Sequence, residues 1–223
     1  MDKLQGINIT LHKKPKKLAF LLHGYGDYAE NFIALATQFN DNNLKANFFA
    51  PNAPFAVPQY PLGRQWFNPY PNGMHYNEAG PEEKEIMQQE CAKSIKQLEE
   101  YINNLCLEYN VFYEDCFIIG FSQGAMIVYE LGNYIKEKFA GCIMISGRIL
   151  SNHSINNNLF VKTPIMILHG DEDDIVSPDY FFEASKITKS KGFVVEDYLI
   201  KGEGHTISQT MLQLVNNFIK KNV

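Results

Sequence analysis

The chain has 223 residues, 45% hydrophobic and 20% charged, with a net charge of −5, a balance that suits a globular α/β domain and argues against a disordered chain. The dense cations, Lys13, Lys14, Lys16 and Lys17 around Pro15, have no interleaved aromatics and read as a polar turn, so no nucleic acid is expected as a partner. No stretch approaches the length of a membrane span and the first residues lack an apolar signal segment, so the expected location is cytoplasmic, without stable membrane insertion.

The N-terminal stretch 7–11 alternates apolar and polar residues and predicts an edge strand. After the lysine turn, 18–22 is a continuous apolar run of the kind found in buried parallel strands, and it ends in the glycine-punctuated loop His23-Gly24-Tyr25-Gly26-Asp27. Phe32, Leu35, Ala36 and Phe39 recur at helical spacing, and 47–50 is a short strand stopped by Pro51.

Residues 51–81 carry seven prolines and many aromatics, Trp66, Phe67, Tyr60, Tyr70 and Tyr76 among them, with no periodicity. A loop this long is expected to be an ordered flap near a site, the alternative being a cover for the sheet edge. Pro81 followed by three glutamates opens a long helix, carried by apolar residues from Ile86 to Tyr109. Beyond it, strands are expected at 116–119, 140–145, 164–168 and 194–199, and helices at 125–135, 178–191 and 207–219. Cys91, Cys106, Cys116 and Cys142 all fall in apolar periodic segments, where free cysteine behaves as a small core residue, and no Cys/His cluster suggests a metal. Strands alternating with helices predict an α/β fold over 1–223 as one domain, a mostly parallel doubly wound sheet flanked by helices.

In such sheets chemistry collects at the carboxyl ends of the strands. The strand at 116–119 runs into Gly120-Phe121-Ser122-Gln123-Gly124, and a helical pattern begins at once. That is the strand–turn–helix context of a nucleophilic serine, with glycines expected at 120 and 124 because side chains there would collide across a sharp turn. By chance roughly one chain in fifteen of this length carries the pentapeptide, so the partners must decide. A serine hydrolase needs an imidazole to take the hydroxyl proton and a carboxylate to orient the imidazole, in the chain order Ser, acid, His for this fold class. His205, presented by a Gly-x-Gly-like loop after the last strand, is the best base. His12, His75 and His153 sit elsewhere, and His23 and His169 precede glycines at strand ends, where histidine more often makes structural hydrogen bonds. The acid is one of the cluster Asp171-Glu172-Asp173-Asp174; Asp173 and Asp174 both fit on position alone, and another member of the cluster could cap the following helix. Backbone N–H groups of Gln123 and Tyr25 stand where oxyanion donors are expected.

Together these segments resemble the carboxylesterase/phospholipase family of α/β-hydrolases that includes the acyl-protein thioesterases, and most of all its small bacterial carboxylesterases. The resemblance rests on Leu-His-Gly-Tyr-Gly-Asp (22–27), Pro-Asn-Ala-Pro (51–54), Gly-Arg-Gln-Trp-Phe (63–67), Gly-Phe-Ser-Gln-Gly (120–124), His-Gly-Asp-Glu-Asp-Asp-Ile-Val (169–176) and Gly-His-Thr-Ile-Ser (204–208). It implies an α/β-hydrolase fold without a large cap domain, and a serine esterase, often dimeric, that acts on acyl esters, thioesters or lysophospholipids with no metal or cofactor. Carried over by motif, the nucleophile is Ser122, the base His205, the acid Asp173, and the oxyanion amides those of Tyr25 and Gln123. The chain departs from the pattern at Ala125, where many members have glycine, and at Ser177, which separates Val176 from Pro178. Trp66, Phe67 and Tyr76 of the flap, with Ile149, Leu150 and Ile175 near strand ends, are the expected acyl-pocket residues, and short to medium acyl chains the expected preference. A non-catalytic receptor on this fold or a peptidase would more often lack a triad member or carry a cap.

Overall fold

The computed structural model describes residues 3–39, 44–58, 60–75, 78, 80–131, 135–150 and 163–223. Its strands are β1 (Gly6–Ile9), β2 (Lys17–Leu22), β3 (Ala46–Pro51), β4 (Phe55–Val57), β5 (Tyr60–Gln65), β6 (Cys116–Phe121), β7 (Gly141–Ile145), β8 (Ile165–Gly170) and β9 (Val195–Ile200). The helices are α1 (Ala29–Phe32), α2 (Ala36–Phe39), α3 (Pro81–Tyr109), α4 (Gln123–Leu131), α5 (Asp179–Ser190) and α6 (Gln209–Lys221). Seven strands form one sheet in the order β1-β3-β2-β6-β7-β8-β9. Only the edge strand β1 runs antiparallel, with Gly6 opposite Pro51; the other pairs are parallel.

Alternate residues of these apolar strands point to opposite faces, and each face has its own helices. Leu18, Phe20, Leu22, Ile118, Met144 and Ile167 pack with residues of α3, α4 and α5. Ala19, Leu21, Ile119, Ile145 and Leu168 pack with residues of α1, α2 and α6. The expected α/β-hydrolase architecture is therefore present, with the strands' carboxyl ends gathered along one rim. All four cysteines are free and buried.

Two segments differ from the sequence reading. The helix expected at 31–39 is interrupted by a 3₁₀ turn, Ile33–Leu35, at the point where the adjacent residues Phe32 and Ile33 are both buried. The flap contains a regular hairpin, β4 paired antiparallel with β5 and bulged between Ala56 and Val57. Pro58 and Pro61 interrupt the alternation by which strands are recognised, which hid it.

Candidate active site

β6 ends at Phe121 and α4 begins at Gln123, leaving Ser122 alone to make the turn with φ of 53°. A left-handed non-glycine residue costs conformational energy and is tolerated where its surroundings fix it. Here the Ser122 N–H donates to the Ile145 carbonyl at 2.8 Å and the Ser122 carbonyl accepts the Met126 N–H at 3.1 Å. The two flanking glycines are needed for different reasons. A Cβ on Gly120 would lie 2.5 Å from the Gly124 carbonyl oxygen, across the turn as expected. One on Gly124 would instead strike the carbonyl oxygens of Leu22 and His23, so Gly124 is set by how closely α4 passes the end of β2.

Three side chains from three loops converge here. The Ser122 hydroxyl is 2.9 Å from His205 Nε2, and His205 Nδ1 is 2.8 Å from Asp173 Oδ2. With the carboxylate as acceptor, the Nδ1 proton is donated to Asp173 and Nε2 is left to accept from the serine. The ring of Phe121 lies against the imidazole, centroids 4.9 Å apart. Asp173 is buried, and its other oxygen, Oδ1, accepts the N–H groups of Ile175 at 3.0 Å and Val176 at 2.8 Å. Burial pushes this carboxyl's pKa up, but the Val176 and Ile175 amides and His205 outweigh it and hold it below the ordinary value.

The structure also separates the members of the acidic cluster. Asp171 Oδ1 accepts the Gly202 N–H at 2.6 Å, and the Glu172 N–H donates to the Glu203 carbonyl at 2.9 Å, tying the loop after β8 to the loop carrying His205. Asp174 is exposed, and the hydrogen bonds of His205 go to Asp173 and Ser122 instead. The start of α5 is served by Ser177, whose hydroxyl accepts the Asp179 N–H at 3.3 Å, rather than by an acid.

The two other strand-end histidines are fully buried, with pKa values lowered chiefly by burial. His23 Nε2 accepts the Ala53 N–H at 3.1 Å, so its proton is on Nδ1 and goes to the Gly24 carbonyl at 2.7 Å. That bond shapes the loop carrying Tyr25, where the Gly26 N–H and Asp27 N–H are committed to the Arg64 and Gly24 carbonyls.

Trp66 and Phe67 are corrections. Both are fully buried, so neither presents a wall to a substrate. Trp66 Nε1 donates to the His23 carbonyl at 2.9 Å, and its backbone carbonyl accepts from Ser94 of α3. The Gln123 side chain accepts the Trp66 N–H at 2.8 Å and donates to the Phe67 carbonyl at 2.8 Å. Sequence reasoning credited Gln123 with an amide alone; its side chain also locks the flap to the elbow. The flap aromatics that face open space are Tyr60 and Tyr70, which with Tyr25, Gln65, Asn68 and Pro58 wall a cavity of about 600 Å³. Ile149 is buried and Leu150 packs against the same core, while Ile175 is exposed on the acid loop. Tyr76 and His153 lie outside the described residues.

A serine on a strained elbow, hydrogen-bonded through an imidazole to a buried carboxylate at the carboxyl rim of a parallel sheet, defines a serine hydrolase of the α/β-hydrolase class. Residues 8–223 match the phospholipase/carboxylesterase family, and the chain belongs to it. It is an ester hydrolase. Acyl-protein thioesterase 1 of Candida albicans is 29% identical over 227 residues, covering 93% of this chain and 93% of that protein. The carboxylesterase SOBER1 of Arabidopsis thaliana is 27% identical over 213 residues, 91% of this chain and 89% of its own. Among solved structures, that of esterase PE8 superposes with a TM-score of 0.87 at 26% identity over 100% of both chains. Arabidopsis SOBER1 superposes with a TM-score of 0.77 at 25% identity, covering 92% of this chain and 98% of that one.

Proposed function

We propose that Ser122 is the nucleophile, His205 the general base and acid, and Asp173 the orienting carboxylate of an esterase that works through an acyl-enzyme. The observation that carries this is the unbroken Ser122–His205–Asp173 hydrogen-bonded chain, 2.9 and 2.8 Å long. Ser122 Oγ attacks the acyl carbon as its proton passes to His205 Nε2. The imidazolium is stabilised by Asp173 through Nδ1–H. We assign the oxyanion to the amide N–H of Gln123, at the positive end of α4, and to that of Tyr25, the residue after Gly24, which packs beside Ser122. His205 then protonates the leaving alcohol or thiol, and water activated by the same base releases the acid.

Tyr25 is among the residues lining the tyrosine-walled cavity, which supports a short to medium acyl ester or thioester as substrate, with lysophospholipid as the longer alternative. The same reading takes the 25.5 kDa chain as one cytoplasmic domain, able to pair as a homodimer. Among the described residues no helix is long and apolar enough to cross a membrane.

A fluorophosphonate probe should label the wild type and spare Ser122→Ala; equal labelling of both would end the nucleophile assignment. Across nitrophenyl esters of rising acyl length, kcat/KM should peak at short to medium chains. An optimum at long chains would shift the assignment to lipids.

A further inference from the structure

His169 is the second imidazole on the candidate triad acid. Its Nε2 lies 2.8 Å from the Val176 carbonyl oxygen and 3.2 Å from Asp173 Oδ2, the same oxygen that receives His205 Nδ1–H. A carbonyl can only accept, so Nε2 carries the proton and donates it to Val176, with Asp173 Oδ2 close beside the ring nitrogen. Nδ1 makes no hydrogen bond among the described residues. A proton there would be a buried, unpaired donor on a cation, so the ring is neutral.

We propose that His169 is a positioning residue for the triad acid: a neutral N–H donor that holds the Val176 carbonyl, and with it the loop whose amides bind Asp173, without cancelling the carboxylate's charge. The inference rests on the triad reading above. Asp173 Oδ2 accepts from His205 with His169 Nε2 3.2 Å away, and Oδ1 accepts two amides, one of them that of Val176, so the carboxylate can rotate only by breaking three hydrogen bonds. Neutrality matters as much as geometry. A cationic His169 would pair with Asp173 and weaken its support of the His205 imidazolium that forms during attack. Burial, the dominant influence on His169, keeps the proton off.

Few other groups compete for this role. α5 presents the Phe181 ring to His169, centroids 6.5 Å apart. On the acid loop Asp171, Glu172 and Asp174 are exposed, Glu203 flanks His205 on the base loop, and Arg148 after β7 is stacked over Tyr180 of α5. The titratable groups in direct contact with the chain are therefore His169 and His205 themselves.

The test compares His169→Leu, which keeps bulk without a donor, with His169→Gln, which keeps an N–H donor. In His169→Leu, kcat should fall about tenfold to a hundredfold with KM little changed, since a slightly misplaced base is costly to the chemical step. With the Val176 carbonyl released, the Val176 amide donates less well to Asp173, which becomes more basic and holds the His205 imidazolium more firmly. The acid limb of kcat/KM should therefore move to higher pH by about half a unit, and the far-downfield proton of His205 Nδ1–H should shift in the NMR spectrum. His169→Gln should recover most of kcat and return the limb towards its wild-type position.

In an Asp173→Asn background His169→Leu should add almost no further loss, because its effect runs through that carboxylate. A loss that multiplies in that background, or equal losses in the two His169 variants with an unmoved limb, would overturn the proposal. Probe labelling keeps the two readings apart. If Ser122→Ala is still labelled, the triad reading fails; if it is not and the limb stays fixed, only the role of His169 fails.

Discussion

Gln123 joins two parts of the site through one side chain. It is buried, and both ends of its amide are committed, the oxygen to the Trp66 N–H and the nitrogen to the Phe67 carbonyl. A helical residue beside Ser122 thus holds a segment 57 residues earlier in the chain. Gln123→Glu isolates the donor: the shape and the acceptor remain, but a carboxylate oxygen now faces the Phe67 carbonyl in a dry environment. A buried unpaired acceptor and a desolvated charge should together cost about 3 kcal/mol or more of stability. Urea unfolding at neutral pH measures it. The backbone amide assigned to the oxyanion is untouched, so at temperatures where the variant stays folded Ser122 should still take the fluorophosphonate probe. Unchanged stability would mean that the flap is held by its other contacts.

At the scale of elements, the crossing of α4 over the end of β2 builds the elbow. All nine residues of α4 are buried, and Gly124 is pressed against the backbone of Leu22 and His23. Backbone carbonyls cannot swing aside as a flexible side chain can. Gly124→Ala should therefore push α4 off β2 and cost at least about 3 kcal/mol. The same push displaces the loop carrying Tyr25, so esterase activity should fall further than the folded fraction does. Thermal melts paired with active-site titration separate the two effects. A wild-type melting temperature would show that β2 can shift freely.

Much of this architecture was readable from local signals. α3 matches the range 81–109 because proline, acids and a long apolar repeat mark it without help from the rest of the chain. The parallel strands stand out as continuous apolar runs, and the positions of Ser122 and His205 follow from strand ends and glycines. What escaped depends on partners distant in sequence. Trp66 reads as a pocket wall until the His23 carbonyl, 43 residues before it, is seen to take its indole N–H. Asp173 and Asp174 are alike in the chain. The family motif favours Asp173, and in the structure the amides of Ile175 and Val176 and the approach of His205 from another loop set it apart. The hairpin β4–β5 escaped because prolines break the alternation on which strand recognition depends.

For the whole molecule, the buried histidines link stability to pH. His23 and His169 are both fully buried, with pKa values lowered mainly by burial, so each is neutral in the folded chain where an unfolded histidine titrates near pH 6.5. Between the folded and unfolded values the unfolded chain binds more protons. Their contribution is therefore complete above about pH 6.5 and declines as the pH falls through that window, by up to about 1.4 kcal/mol per pH unit for each histidine. Asp173 acts lower on the scale: its pKa is depressed in the fold, so its contribution is present above the unfolded value near 3.9 and is lost only as the pH drops below it. Urea midpoints should thus fall between about pH 7 and pH 5, before the carboxylate titrates. In His23→Gln the amide cannot charge, so the midpoint should drop at neutral pH through lost hydrogen bonds, yet its slope between those pH values should be shallower than wild type. Midpoints that stay level from pH 7 to pH 5 in the wild type would show that the buried imidazoles accept protons in place, and the stability argument for both histidines would fail.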